Sequence, residues 1–395
     1  MTGVNKKQMV GIFAFAIFAM ASNMTMGILA LIMQSYPTVS PTTVSQILTT
    51  PALVGTAYAF CVGVLHKKVP AKILMMLAQV CLFAYGMIFC FLGGKAPIGV
   101  LIAAAGLLGI GQGSNNTLLA IVLAEACPDE SKRGGILGIV MSVMNLGGVA
   151  ITTLGGMLAV NGWNNAYLIF FVLLITLTVQ AICLPKGAFA GAPAAAAEKK
   201  EKTKLPMKVW AISIHYFFFF LALYVFGTNV SEYIITTYAL GTSAEAGVAS
   251  SMVTVGGIVA GAFFGAYSKV LKKATVPVLM GIAAVGLLVP IFVTTSIVAI
   301  FACGLLLGIS MMGCNPYIMG YMAQITTPDQ YSNALSIFAG FMNGGMCVAI
   351  SVLAFMTKLL CGDGAHVPTK FIVGAGLAII CFITSFPIYM GKDKK

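Results

Sequence analysis

Glu232 and His215 are ionisable side chains embedded in one long apolar stretch, residues 206–238, PMKVWAISIHYFFFFLALYVFGTNVSEYIITTY. A stretch of this length can cross a bilayer as a helix, and an ionisable group inside it is expensive unless it has a partner or lines a wet cavity. Glu232 follows Asn229 by one i+3 step and Thr228 by one i+4 step, so the three share a helix face. Burial favours the neutral form of a carboxyl. Glu232 is therefore a candidate to take up and release a proton as its surroundings alternate between dry and wet. The alternative is a hydrated carboxylate near the outer mouth that tunes cation preference. His215 could relay a proton from the other end of the helix, although beside Tyr216 and Phe217 to Phe220 it also reads as a packing residue.

Amides recur inside other apolar runs. Gln112, Asn115 and Asn116 fall at helical spacing on one face, and Asn23, Asn145, Asn229, Asn315 and Asn343 are isolated examples, with Tyr317 near Asn315 and Tyr224 near Asn229. An unpartnered amide in hydrocarbon costs on the order of several kcal/mol, so each must face another polar group, water or a solute. Solute contact and interhelical bonds that only hold a bundle together are both consistent with this pattern. Ten cysteines are scattered singly, with no CxxC and no Cys/His cluster, so no metal, cofactor or disulfide framework is indicated. No acid/base constellation gathers at one place either, which argues against an enzyme.

The elements that must position these residues are plain in the composition. With 59% hydrophobic and 8% charged residues and a mean hydropathy of +1.00, this is an all-α membrane protein. Twelve apolar runs can be counted, at 9–33, 44–65, 71–92, 97–125, 135–160, 166–184, 207–238, 246–270, 275–294, 297–325, 332–358 and 371–390. The first reads as a single transmembrane helix rather than a signal peptide, being too long and lacking a cleavage pattern. Basic residues crowd alternate loops: Lys6, Lys67, Lys68, Lys72, Arg133, Lys269 and the 199–204 cluster lie on one side, whereas the other holds only Lys95, Lys358 and Lys370. By the positive-inside rule both termini are cytoplasmic. The net charge of +12 is then topogenic and does not point to nucleic acid.

Residues 186–205 form the one long charged, Ala/Gly-rich interruption, which divides the chain into halves 1–185 and 206–395. An internal repeat links them. LLGIGQGSNNT at 107–117 echoes LLGISMMGCNP at 306–316, Pro128-Asp129 echoes Pro328-Asp329, and Met144-Asn145-Leu146-Gly147-Gly148 echoes Met342-Asn343-Gly344-Gly345.

Two pseudo-symmetric six-helix bundles, a central linker, and basic loops after the second and eighth helices resemble the major facilitator superfamily over essentially the whole chain. Gly63, Leu65, Lys67, Lys68 and Lys72, with Gly265 and Lys269 in the other half, stand where that family carries its gating loops, but the loop aspartate is absent. Gly109 and Gly111 match the family's fourth helix, whereas its arginine is replaced near Ala105, and Gly155-Gly156 lacks the Gly-Pro of the drug/proton antiporter branch, to which the likeness is loose. The resemblance implies two bundles rocking about a central cavity lined by the first, fourth, seventh and tenth helices. That would make Asn23, Gln112, Asn115, Asn116, Asn229 and Asn315 cavity residues. It also implies contact between the fifth and eighth helices, where Gly138, Ser142, Asn145, Thr152 and Gly156 face a Gly257, Gly261, Gly265 stripe.

The expected activity is secondary transport of a small organic solute across the cytoplasmic membrane by a monomer without cofactors, with protons as a candidate coupling ion. Arg133 is the sole arginine and lies in a loop, so a neutral, amphipathic or weakly cationic solute fits better than an anion. The aromatic, Met-rich lining points to efflux; the missing antiporter motif points to an uptake symporter or facilitator. A non-transporting ligand sensor is a further alternative.

Overall fold

The structure, a computed structural model, describes residues 6–66, 68–127, 130–184 and 205–390. Lys67 and linker residues 186–204 lie outside the described residues, as do the side-chain surroundings of Gly63 and Asn116. The described residues are mainly helical, and nine stretches among them are long and apolar enough to cross a membrane. The first half contains α1 (Lys6–Ala16), α2 (Ser22–Gln34), α3 (Pro41–Leu65), α4 (Ala71–Leu92), α5 (Ile98–Ala126), α6 (Glu130–Ala159), a 3-10 segment (Trp163–Phe171) and α7 (Val172–Cys183). The second contains α8 (Met207–Glu232), α9 (Ser243–Leu271), α10 (Thr275–Phe292), α11 (Ile297–Ile325), α12 (Pro328–Cys361) and α13 (Val367–Ser385).

Helix boundaries follow local chemistry. Proline opens α3 and α12 and directly precedes α4, α5 and α8, where its missing N–H costs nothing. Thr242 and Glu245 form a capping box on α9, Thr327 and Gln330 another on α12, and Gly362 ends α12 in the left-handed region at φ 82°.

One span departs from expectation. The first run is not a single helix: residues 17–21 form a turn with i to i+3 bonds, such as Ala19 N–H to Ala16 O (3.0 Å), between α1 and α2. The break falls midway through the run.

Buried apolar side chains gather in clusters that respect the halves. One draws on Val209 to Tyr389, and two draw on residues from Ile12 to Leu184. Large apolar side chains such as Ile175, Ile182, Val270 and Phe292 lie on the outside, where lipid rather than water would meet them.

Within each half the repeated motif does the same work. A side chain at Gly109 would meet the Pro51 carbonyl of α3 at 2.6 Å, and one at Gly308 would meet the Val253 carbonyl of α9. Likewise Gly147 of α6 seats the backbone at Ile17, while Gly345 of α12 seats the backbone at Phe217 of α8. The sequence echo is thus an echo of close backbone crossings.

Candidate functional site

The interrupted first span is held by amides. Gln79 of α4 is fully buried and donates to the Ala14 carbonyl (3.1 Å), while accepting from Thr176 of α7 (3.0 Å). Asn115 of α5 donates to the Phe15 carbonyl (3.2 Å). These carbonyls belong to the last turn of α1, where the helix no longer supplies partners, so the two amides satisfy what the break exposes. On the other side of the break, Gln112, the middle residue of α5, donates to Ser22 Oγ at 2.7 Å, and Asn23 donates to Thr254 Oγ1 of α9 at 3.4 Å. Asn115→Ala should leave the Phe15 carbonyl unsatisfied and lower stability by about 1–3 kcal/mol. A thermal unfolding midpoint unchanged from wild type would contradict that role.

In the second half, Asn315 of α11 accepts from Tyr216 Oη at 3.2 Å. Tyr317 packs partly buried against the second-half core. Asn145 and Asn343 lie near the middles of α6 and α12 and are partly buried. Half-buried amides thus come from both halves, Asn23, Gln112 and Asn145 from the first and Asn315 and Asn343 from the second. His215 does not join them: it is 6% exposed, with Nε2 2.9 Å from the Cys381 carbonyl and 3.1 Å from Thr384 Oγ1, and its ring packs against Tyr389. Through Nε2 it ties α8 to α13, while Nδ1 is buried without a hydrogen-bond partner.

A second polar group lies at the end of the bundle away from the two termini, here called the far end. Lys370, in the first turn of α13, is 9% exposed and donates from Nζ to Asn229 Oδ1 at 3.0 Å. Asn229 in turn donates to the Val225 carbonyl and to Thr228 Oγ1, each at 2.8 Å. Glu232, one i+3 step along the same face of α8, has Oε2 buried without a hydrogen-bond partner, and its electrostatic neighbours are Lys370 and Asp363. Lys370, Asn229 and Thr228 line a recess completed by Pro41, Thr42 and Ser45 of α3 and by Ile350, Leu353 and Ala354 of α12. Its interior has room for about one water. The sequence places Lys370 in a loop; the structure makes it a buried cation between the halves.

The halves touch from mid-depth to the far end. Besides Asn23 and Thr254, Ala30 N–H donates to Ser231 Oγ (3.2 Å), Tyr224 Oη to the Leu48 carbonyl (3.4 Å), and Ser243 Oγ to the Gly156 carbonyl (3.0 Å). Glycines allow this approach: a side chain at Gly247 would meet the Thr152 carbonyl at 2.8 Å and Gly156 Cα at 3.0 Å, and one at Gly27 would meet Gly247 Cα at 3.0 Å. The fifth and eighth spans do meet, but at Gly247. Gly138, Gly261 and Gly265 face open space, and Gly257 packs on Met312 of its own half. Lys68 and Lys269 are exposed at the termini end. The far end is closed.

A family model described as Major Facilitator Superfamily matches residues 11–239 and 212–395. The chain belongs to the major facilitator superfamily. It is accordingly a multi-pass membrane protein and a secondary transporter of a small molecule, in a family whose members are not normally enzymes. Among solved structures, a mutant of the nucleoside transporter NupG matches with a TM-score of 0.76 at 11% identity, over 98% of this chain and 100% of that one. The D-xylose-proton symporter matches with a TM-score of 0.74 at 15% identity, over 97% and 98%. Identities this low establish shared architecture and leave the solute open. No curated protein sequence matches this chain.

Proposed function

We propose that this superfamily transporter couples movement of a small polar organic solute to a proton carried by Glu232, by rocking of halves 1–185 and 206–395 about the mid-depth amides. The observation that carries the coupling is Glu232 itself, a half-buried carboxyl with an unpartnered oxygen, on the same face of α8 as Asn229 and beside the one buried lysine among the described residues. Solute contacts are assigned to Asn23, Gln112, Asn145, Asn315 and Asn343, half-buried amides within apolar spans of both halves. Asn115 and Tyr224 are assigned to holding the bundle, because their polar groups engage the Phe15 and Leu48 carbonyls. The linker and both termini are assigned to the cytoplasmic side by the basic bias of alternate loops. On that orientation the closed far end faces outward.

The preference for a neutral or cationic solute rested on the lack of an arginine in any span, and the exporter reading on an aromatic, Met-rich, charge-poor lining. The buried Lys370 removes the charge premise, and we infer co-transport with the proton. Uptake into proteoliposomes should rise with an inwardly directed proton gradient, for whichever solute a panel of labelled metabolites identifies. Gln112→Ala should raise KM for that solute about fivefold, the equivalent of about one hydrogen bond. Uptake indifferent to the gradient would overturn the coupling, and an unchanged KM would remove Gln112 from the solute site.

A further inference from the structure

We propose that the recess at Lys370 is a subsite for the carboxylate of a monoanionic solute, and that Glu232 is the counter-charge that Lys370 keeps when the solute is absent. The inference rests on the reading of Glu232 as the proton carrier. Lys370 offers three N–H donors, and Asn229 Oδ1 takes one. Two of the lining hydroxyls are already engaged as donors to their own helices: Thr228 to the Tyr224 carbonyl (2.9 Å) and Ser45 to the Pro41 carbonyl (2.8 Å). An ammonium held this way inside a membrane protein calls for an anion.

The charges around the pair are few. Asp363, in the turn between α12 and α13, is exposed and spends Oδ1 on the Ala365 N–H at 2.8 Å. His366 is exposed and bonded to Thr369, and Lys358 is exposed near the end of α12. The segment of α3 at the recess and all of α2 carry no titratable side chain, and Glu245 of α9 is tied into its capping box with Thr242. Tyr233 donates to the Pro290 carbonyl at 2.7 Å and packs against Tyr238. Glu232 is therefore the buried anion available to Lys370.

The charge balance couples the two ligands. The empty carrier holds an ammonium and a carboxylate. Binding one proton to Glu232 and one solute carboxylate to Lys370 leaves the recess with the same net charge, so both forms can rearrange without a bare charge in the bilayer. A proton without the anion, or the anion without the proton, leaves one charge uncompensated and disfavours rearrangement. The recess has room for about one water and is walled by both halves, so opening the far end widens it around Lys370, with Glu232 one i+3 step from the lining Asn229 on the same face of α8. Proton and anion then load from the same face, which is symport.

The test uses the purified full-length protein and a panel of monocarboxylates from formate to benzoate, each beside its uncharged amide and beside chloride, with thermal stabilisation as readout. At least one carboxylate should stabilise the wild type while its amide does not. Its apparent affinity should fall about tenfold per pH unit wherever Glu232 is ionised in the free protein, because one proton is taken up per anion. Glu232→Gln should keep the response and lose its pH dependence, and Lys370→Met should lose the response. A response retained in Lys370→Met, no response to any carboxylate at acidic pH, or equal stabilisation by chloride would overturn the proposal. If Lys370→Met fails to fold, the loss of pH dependence in Glu232→Gln decides. Gradient-driven transport that is unchanged in Glu232→Gln would instead sink the proton-carrier reading beneath it.

Discussion

Glu232→Gln is expected to abolish accumulation of the solute while leaving exchange of labelled for unlabelled solute intact. A pH difference of one unit is worth about 1.4 kcal/mol per proton, so wild-type vesicles should approach about tenfold accumulation for one coupled proton. Glutamine keeps the volume and hydrogen-bonding reach of a protonated glutamate and cannot release a proton. The variant is therefore locked in the loaded form, which can carry solute in both directions but cannot return empty. Since Glu232 ends α8 beside Lys370, the empty carrier would also hold an ammonium without its counter-charge. Accumulation at the wild-type level in Glu232→Gln would show that the proton travels elsewhere. His215 is a poor second choice, because its Nε2 is engaged with the Cys381 carbonyl and Thr384 inside the second half.

Gly247→Leu should have the largest effect on conformation. Gly247 sits where α9 crosses both α2 and α6, with Gly27 and Gly156 against it, and no side chain fits without parting these helices. Overpacking of this kind costs about 1–3 kcal/mol. The cost falls on the far-closed state alone if opening separates the same surfaces, so the population should shift toward far-open by about five- to 150-fold. A membrane-impermeant thiol reagent applied from the far side should then label Ser231→Cys faster, in a background lacking the exposed Cys61 and Cys361. Gly265→Leu faces open space and should leave labelling unchanged. Equal labelling in Gly247→Leu and wild type would mean that this crossing does not gate the far end.

Particular residues show what could be read from the chain and what could not. The Asn-x-Gly of 145–147 and of 343–345 was legible as a repeat, and its physical reason, a glycine two residues on that seats the backbone of a crossing helix, holds in both halves. The break at 17–21 was not legible. Ile17-Phe18-Ala19-Met20-Ala21 is as apolar as its flanks and contains no proline or glycine. The interruption is accommodated by groups distant in sequence: Gly147 against Ile17, Gln79 on Ala14 and Asn115 on Phe15. Only the surplus of amides in α4 and α5 hinted that backbone groups somewhere needed partners.

Lys370 was missed for a different reason. The apolar run begins at Phe371, but Pro368 starts the helix earlier and draws the lysine into the first turn of α13, against Asn229. A signal was present. Lysines are scarce on that side of the membrane, and one lying just after a helix-starting proline and directly before an apolar run is a candidate for burial. Glu232 was legible as an anomaly, and its partner was not.

The most direct test of coupled transport records internal pH and labelled solute together in proteoliposomes, with a solute gradient imposed and no initial pH gradient. Solute entry should acidify the interior with a fixed proton-to-solute ratio near one, and Glu232→Gln should abolish the acidification. Solute entry in the wild type with no change of internal pH would contradict the account.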